Sequence, residues 1–252
     1  MYSTSAANTL DARPTIDRPS NKLLETLPDE DSRRVFSHLA TVPLKFKQIL
    51  YKQDETIRHV FFPGGGACSL TKVMQDGQIA EIATIGNEGV IGANVFFGDD
   101  RSFGETIVQV ADGDGFRMPV DEFLAEMNRR GSFYDRVIRY SQALTSQVMQ
   151  TTVCNGLHSA EQRCCRWLLM TRDRVHSNDL RLTHEFLSIM LGVRRPTVTL
   201  IMGDLQKAGL IEHRRGTIQI VDRNALEAAS CECYATVKAN FARLLPEMSP
   251  PG

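Results

Sequence analysis

The chain has 252 residues, of which 42 % are apolar and 23 % charged, so it holds enough apolar material for one large domain or two ordinary ones. No apolar run reaches the roughly 18 residues needed to cross a bilayer, which excludes a membrane-spanning helix. The net charge of −1 hides an asymmetry, because residues 160–223 hold 11 Lys and Arg against 7 Asp and Glu, a modest indication of a local polyanion site.

The N-terminal residues 1–20 are predicted to form a disordered arm. They are polar, contain Pro14 and Pro19, and match neither a secretory signal nor a membrane anchor. Without a signal peptide, the six cysteines are expected to be reduced thiols and the protein to be cytoplasmic.

Residues 21–131 are predicted to form a β-rich domain behind a short helical start. Pro28 followed by Asp29 and Asp31 is typical of a helix N-terminus, where acidic residues are favoured. After Val42, short strand-like runs alternate with turns rich in Gly, Asp and Asn. The predicted strands are 48–51, 59–62, 68–74, 79–85, 105–110 and 115–119. Many short strands at nearly regular spacing indicate a sandwich or jelly roll.

A long helix is predicted from Ser132 to Leu157, because apolar or small residues recur at alternating gaps of four and three, as in a heptad stripe. The stripe comprises Phe133, Val137, Tyr140, Leu144, Gln147, Thr151 and Cys154. The helix either packs on its own domain or forms a dimer. Dimerisation is favoured, because one continuous stripe lies on a helix that links two domains. The expected dimer contacts are Val137, Tyr140, Leu144, Gln147 and Thr151.

Residues 158–235 are predicted to contain a helix-turn-helix. Thr183 is a suitable N-cap for a helix over 184–191, and Gly192 permits a sharp turn. A second helix is expected to begin near Pro196, a residue favoured in a first helical turn, and to end at Gly209. Two short helices joined by a turn that contains glycine are typical of this motif.

The exposed face of the second helix and the following hairpin carry the candidate DNA contacts. Arginines at the N-terminus of a recognition helix reach guanine O6 and N7 in the major groove. The hairpin over 210–221 resembles a wing, and its basic tip would contact phosphates, which position the protein without specifying sequence. The candidates are Thr183, Arg194, Arg195, Thr197, Thr199 and Leu200 for the helix and Arg214 and Arg215 for the wing.

These residues resemble the CRP/FNR family of bacterial regulators over roughly residues 21–235. The resemblance is carried by Val60-Phe61-Phe62-Pro63, by the segment 85–92 (IGNEGVIG), by 182–187 (LTHEFL), by 191–198 (LGVRRPTV) and by Gly209-Leu210-Ile211. It implies an α+β fold: a β-roll (jelly-roll) sensor domain like those that bind cyclic nucleotides, a dimerisation helix and a winged helix-turn-helix. The expected divisions are 1–20 (arm), 21–131 (sensor), 132–157 (dimer helix), 158–235 (DNA-binding domain) and 236–252 (C-terminal tail).

The sensor half departs from members of the family that bind cyclic AMP. Those members hold the ribose and phosphate with a Gly-Glu pair and an Arg-Ser pair. The matching positions here read Gly92-Ala93 and, near Gly104-Glu105, no arginine pairs with serine, since Arg101-Ser102 is out of register. Cyclic nucleotide binding is therefore not expected.

Two further departures concern iron–sulfur chemistry and DNA sequence. No cysteine precedes Cys68, so the N-terminal cluster of oxygen-sensing members is not expected. In the recognition helix Pro196 replaces the family's glutamate and Leu200 a later arginine, whereas Arg195 is kept. The family's usual half-site is therefore not transferred to this chain.

The main alternative is a jelly-roll metalloenzyme of the cupin type, but the β region offers only His59 where such a site needs several histidines. The sequence predicts no enzyme, cofactor or metal. The expected partners are double-stranded DNA, a second copy of the chain, an unidentified effector and RNA polymerase; no membrane is expected among them.

The Cys164-Cys165 and Cys231-Glu232-Cys233 pairs are expected to be buried thiols. Redox sensing stays open as an alternative, and so does metal binding with further ligands from elsewhere in the chain.

Overall fold

A computed structural model of the chain describes residues 20–110, 113–214 and 216–248. The predicted arm, apart from Ser20, lies outside the described residues, and so does Arg215 of the predicted wing. No single helix in these ranges is long and apolar enough to cross a membrane. The helices 184–191 and 195–207 pass that test only when taken together, by length and composition alone, and they are bent by 108° relative to each other.

The N-terminal half is a β-roll, the two-sheet body formed by β1–β7. Its strands are β1 (Ala40–Leu44), β2 (Ile49–Tyr51), β3 (His59–Pro63), β4 (Ala67–Val73), β5 (Ile79–Ile85), β6 (Glu105–Val110) and β7 (Gly113–Pro119). One antiparallel sheet has the order β1-β7-β3 and the other β2-β6-β4-β5. The six predicted strands are all present, and β1 adds a seventh that the sequence pattern did not indicate. Phe62, Phe116 and Met118 are buried in the core of the roll.

Short helices close the roll before the long helix begins. They are α1 (Lys22–Glu25) and α2 (Asp29–Phe36) ahead of β1, and α3 (Val120–Asn128) after β7; a 3₁₀ turn spans Ala93–Phe97. Asn21 fixes the entry of the chain, since its side-chain amide donates to the carbonyls of Pro63 at 2.8 Å and Gly89 at 2.9 Å.

The long helix α4 (Ser132–Leu157) has the predicted bounds, but its predicted stripe faces the chain's own domains. Six of its seven residues are buried, and Leu144 is partly buried. Gln147 Nε2 donates to Thr84 O of β5 at 3.0 Å, and Arg166 donates to Thr151 Oγ1 at 3.4 Å. Val137, Tyr140, Gln147 and Thr151 are therefore internal packing residues, which corrects their assignment as dimer contacts.

The C-terminal half combines helices with a small sheet. Its elements are α5 (Ala160–Val175), β8 (Asp179–Arg181), α6 (His184–Leu191), α7 (Arg195–Lys207), β9 (Ile211–Arg214), β10 (Thr217–Ile220), α8 (Arg223–Ala229) and α9 (Cys233–Leu244), with a last 3₁₀ turn at Pro246–Met248. The sheet order is β8-β10-β9. Of the segment expected as a tail, 236–252, residues 236–244 belong to α9, which packs against α4.

The two halves meet at a buried carboxyl group. Glu81 of β5 is 8 % exposed and accepts hydrogen bonds from Trp167 Nε1 of α5 at 3.0 Å and from Thr84 Oγ1 at 2.9 Å. Nearby, the guanidinium of Arg174 in α5 pairs with Glu88 at 2.9 Å. The contacts tie the C-terminal half to the sheet of the roll.

We expect the free energy of unfolding of the wild-type protein to fall as pH rises, because Glu81 is buried. The Glu81→Gln variant should lose this dependence. Burial raises the pKa of Glu81 above its ordinary 4.5, so the folded state binds this proton more tightly than the unfolded state. The stability contribution is then full below the unfolded pKa and is lost as pH rises toward the folded pKa, by at most about 1.4 kcal/mol per pH unit. Urea unfolding of both proteins between about pH 5 and pH 8 measures the difference.

The matched control is Glu30→Gln, which removes an exposed carboxylate from α2. Its unfolding free energy should follow the wild-type pH profile. Parallel profiles for Glu81→Gln and wild type would show that Glu81 does not carry the effect.

Candidate nucleic-acid interface

The helix-turn-helix forms from local signals in the sequence. The N–H of Phe186 donates to Thr183 Oγ1 at 3.1 Å, so Thr183 caps α6 as predicted. Gly192 adopts φ +62°, the left-handed conformation that favours glycine, and the chain then enters α7 at Arg195. The predicted bounds of the first helix are matched, and the second begins one residue before Pro196.

Two apolar faces hold α6 and α7 together and leave the outer face of α7 free. Leu187 of α6 and Val198 and Met202 of α7 are buried in the same core. On the opposite side Leu200 is 69 % exposed, and the side chain of Arg195 is 68 % exposed. Because only the outward face of a helix can contact the base edges of a duplex, this face of α7 is the candidate DNA-reading surface.

The remaining predicted helix contacts differ in how freely they are presented. Arg194, at the N-cap of α7, and Thr199 are exposed, whereas Thr197 is half-buried. The hydroxyl of Thr183 already accepts the capping hydrogen bond. Thr199 Oγ1 donates to Arg195 O at 3.2 Å, so its hydroxyl proton is used within the helix.

A pair of stacked histidines joins α6 to the wing, a contact that sequence reasoning missed. The rings of His184 and His213 lie 4.5 Å apart, and His184 Nδ1 is 3.1 Å from Thr199 Oγ1. Burial, with the neighbouring His213 and Arg195, lowers the pKa of His184. The stack therefore fixes β9 beside α6 and α7. No local sequence pattern pairs two histidines so far apart in the chain.

The wing presents a second cation beside α7. Strands β9 and β10 pair with Thr217 opposite Arg214, and the side chain of Arg214 is 82 % exposed. The N–H of His213 donates to Gln206 Oε1 of α7 at 3.3 Å, which attaches the wing to the reading helix. Arg214 and Arg195 thus lie on two elements that are fixed to each other.

In the free protein these cations are held by exposed carboxylates. Glu185 lies 3.8 Å from Arg195, and Glu212 lies 2.8 Å from Arg214. Exposed ion pairs of this kind contribute only about 0–1 kcal/mol, so a phosphate or a base edge can replace them at small cost.

A cavity lies between the β-roll and α4, beside the place where the two are in contact. It has a volume of about 380 Å³ and is walled mainly by apolar side chains such as Ile85, Phe97 and Leu144. Gly92 and Ala93 line one end, and the described lining residues include no Lys or Arg. Arg101 donates instead to Asp54 O at 3.1 Å, so no guanidinium among the described lining residues faces a phosphate position there.

Comparisons with known families match the two halves separately. The description "Cyclic nucleotide-binding domain" matches residues 41–130, and "Crp-like helix-turn-helix domain" matches residues 162–229. A comparison with curated proteins found no match. The first match corresponds to the β-roll, and the second runs from α5 through the wing to α8.

Solved structures share the fold at low sequence identity. A CRP/FNR-family regulator from Eubacterium rectale superposes with a TM-score of 0.62 at 19 % identity, covering 82 % of this chain and 96 % of its own. A CRP-family regulator from Thermus thermophilus gives 0.64 at 17 %, over 75 % and 96 %. FixK2 from Bradyrhizobium japonicum gives 0.66 at 15 %, over 77 % and 98 %. With both domains matched in order, over residues 41–130 and 162–229, the chain belongs to the CRP/FNR family of DNA-binding transcription regulators.

Proposed function

We propose that this regulator binds a near-palindromic duplex as a homodimer, with two copies of α7 in successive major grooves roughly 34 Å apart. In this arrangement Arg195 contacts base edges. Beside it, bases or backbone are contacted by Arg194, Thr199 and Leu200. The wing contacts phosphates through Arg214 and Arg215. The observation that carries the proposal is the exposure of Arg195 and Leu200 on a helix whose other face is buried. Thr183 and Thr197 are secondary contacts.

The dimer contact that we propose lies on the outward face of α4, on what we call the outer stripe: Met149, Val153 and Leu157. Their exposed fractions are 66 %, 49 % and 78 %, and they follow one another at the four-residue spacing of one helix face. Contiguous apolar side chains on a helix are costly in water and favour a partner helix. A second copy fits, because a palindromic site requires a twofold axis and α4 leads directly into the DNA-binding half.

We also propose that cyclic nucleotides are not the effector. A cyclic nucleotide carries a phosphate, and the cavity beside Gly92 and Ala93 has no cationic lining residue among those described. Burying a charged phosphate without a cation to pair with it is strongly unfavourable. The effector is an uncharged molecule or acts elsewhere on the chain.

The test is a selection of bound genomic fragments by the purified full-length protein, with and without cyclic AMP. We expect enrichment of a two-part motif whose half-sites are centred about 10–10.5 base pairs apart, or a multiple of that, and no change on adding cyclic AMP. An enriched motif without twofold symmetry would contradict the dimer, and absence of any enrichment would contradict sequence-specific binding.

A further inference from the structure

Four metal-binding side chains meet where α4 ends and α9 begins. Cys154 lies in the last turn of α4 and His158 at its C-cap, whereas Cys233 is the first residue of α9 and Cys231 precedes it by two residues. One ligand atom from each lies within 4.8 Å of the others. Two contacts are tighter, Cys154 Sγ to Cys231 Sγ and Cys233 Sγ to His158 Nδ1, both 3.5 Å.

The two shortest separations match those of a single tetrahedral ion, and the remaining ligand atoms lie close enough to converge on it. With Zn–S bonds of about 2.3 Å and Zn–N bonds of about 2.0 Å, the ligand atoms of a tetrahedral site stand roughly 3.5–3.8 Å apart. An iron–sulfur cluster spreads its four ligands over at least two iron atoms, so ligands on different irons stand farther apart than ligands of a single ion. Three sulfurs and one imidazole nitrogen form a ligand set typical of structural zinc, with no position left for water.

The surroundings also favour a bound ion. Cys154, Cys231 and Cys233 are at most 3 % exposed and form a buried cluster of their own. Gln150 Nε2 donates to Cys233 Sγ at 3.0 Å, a hydrogen bond that stabilises a thiolate. The other ring nitrogen of His158, Nε2, lies 3.2 Å from a carboxylate oxygen of Glu232, and such a carboxylate partner commonly orients a metal-bound histidine.

The backbone at both ends holds the ligands in place. His158 N–H donates to Cys154 O at 3.1 Å, so the last helical turn brings these two residues to the same end of α4. The N–H of Tyr234 donates to Cys231 O at 3.2 Å and closes the turn that contains Cys231 and Cys233.

A disulfide between Cys154 and Cys231 would account for only half of the cluster. It would leave Cys233 and the ring of His158 in contact without a role, and it would leave the Glu232–His158 contact unexplained. Four converging ligands are accounted for together by one ion.

We propose that Cys154, His158, Cys231 and Cys233 bind one zinc ion. The ion joins the end of α4 to the start of α9, and so fixes the DNA-binding half on the helix that leaves the sensor half. None of the four residues lies in either matched family segment, 41–130 or 162–229, so the site is a feature of this chain beyond the shared domains.

The test is elemental analysis of the full-length protein purified under reducing, anaerobic conditions from zinc-supplemented cells. We expect about one zinc per chain, and less than about a tenth of that in the Cys231→Ser/Cys233→Ser double variant. The matched control is Cys68→Ser, which changes an equally buried thiol in β4 and should keep the zinc.

A second measurement does not depend on how the double variant folds. The wild-type protein is stripped with a chelator and titrated with Co²⁺, whose tetrahedral thiolate complexes absorb strongly in the visible and near-ultraviolet. We expect saturation at about one equivalent, displacement by Zn²⁺, and a lower Tm for the stripped protein than for the reloaded one. Zinc-free wild-type protein that also gives no cobalt spectrum, or zinc retained by the double variant, would overturn the proposal.

Discussion

Replacing Met149 and Val153 together by glutamate should convert the protein to a monomer and reduce its affinity for a palindromic site by about 10²–10⁴-fold, the gain that joining two binding modules provides. In a twofold dimer the outer stripe faces its own copy, so four carboxylates would meet where apolar side chains now stand exposed. The substitutions should leave the monomer fold intact, because both side chains point away from the chain's own core.

Analytical ultracentrifugation measures the oligomeric state, and gel-shift titration with the selected duplex measures the affinity. Met74→Glu is the matched control, since Met74 is 59 % exposed and lies on the β-roll after β4, not on α4. It should remain dimeric and bind normally. A double glutamate variant that stayed dimeric, or a wild-type protein that was monomeric and still bound tightly, would remove the outer stripe from the interface.

The face of α4 to which the sequence pattern assigned the dimer contact is buried within the chain. The predicted stripe was chosen because apolar or small residues recur along it at alternating gaps of four and three. They recur there because this side of α4 packs against the chain's own roll and α9. Helix α4 therefore carries two stripes, a buried one of seven residues that packs on the chain's own domains and the shorter, exposed outer stripe. Residues that resemble register-setting polar positions, such as Gln147, bond instead to Thr84 and Arg174.

The helix-turn-helix was predictable because its determinants are local. The cap Thr183, the turn at Gly192 and the apolar spacing of α7 all act within a few residues of one another. Contacts that join distant parts of the chain gave no local pattern. Trp167 meets Glu81 across 86 residues and Cys154 meets Cys231 across 77, so only the Cys231-Glu232-Cys233 half of the cluster was visible in the sequence.

The Arg195→Ala variant should lose most of its sequence discrimination while keeping non-specific affinity. A bidentate arginine–guanine contact is worth about 1–3 kcal/mol of discrimination, and a twofold dimer loses two of them. The arginine is available for this contact, because it is highly exposed and its Glu185 partner is 3.8 Å away and equally open to solvent. The measured quantity is the ratio of affinities for the selected duplex and a scrambled one.

Arg214→Ala is the matched comparison, since it removes an arginine of similar exposure from the wing. If Arg214 contacts only phosphate, this variant binds both duplexes more weakly by the same factor, and the slope of log affinity against log salt falls by about one for each lost contact. The two variants should therefore separate, one changing the ratio and the other the salt slope. If Arg195→Ala instead lost the same factor of affinity for both duplexes, Arg195 would bind phosphate and not bases. Base recognition would then rest on Arg194, Thr199 and Leu200.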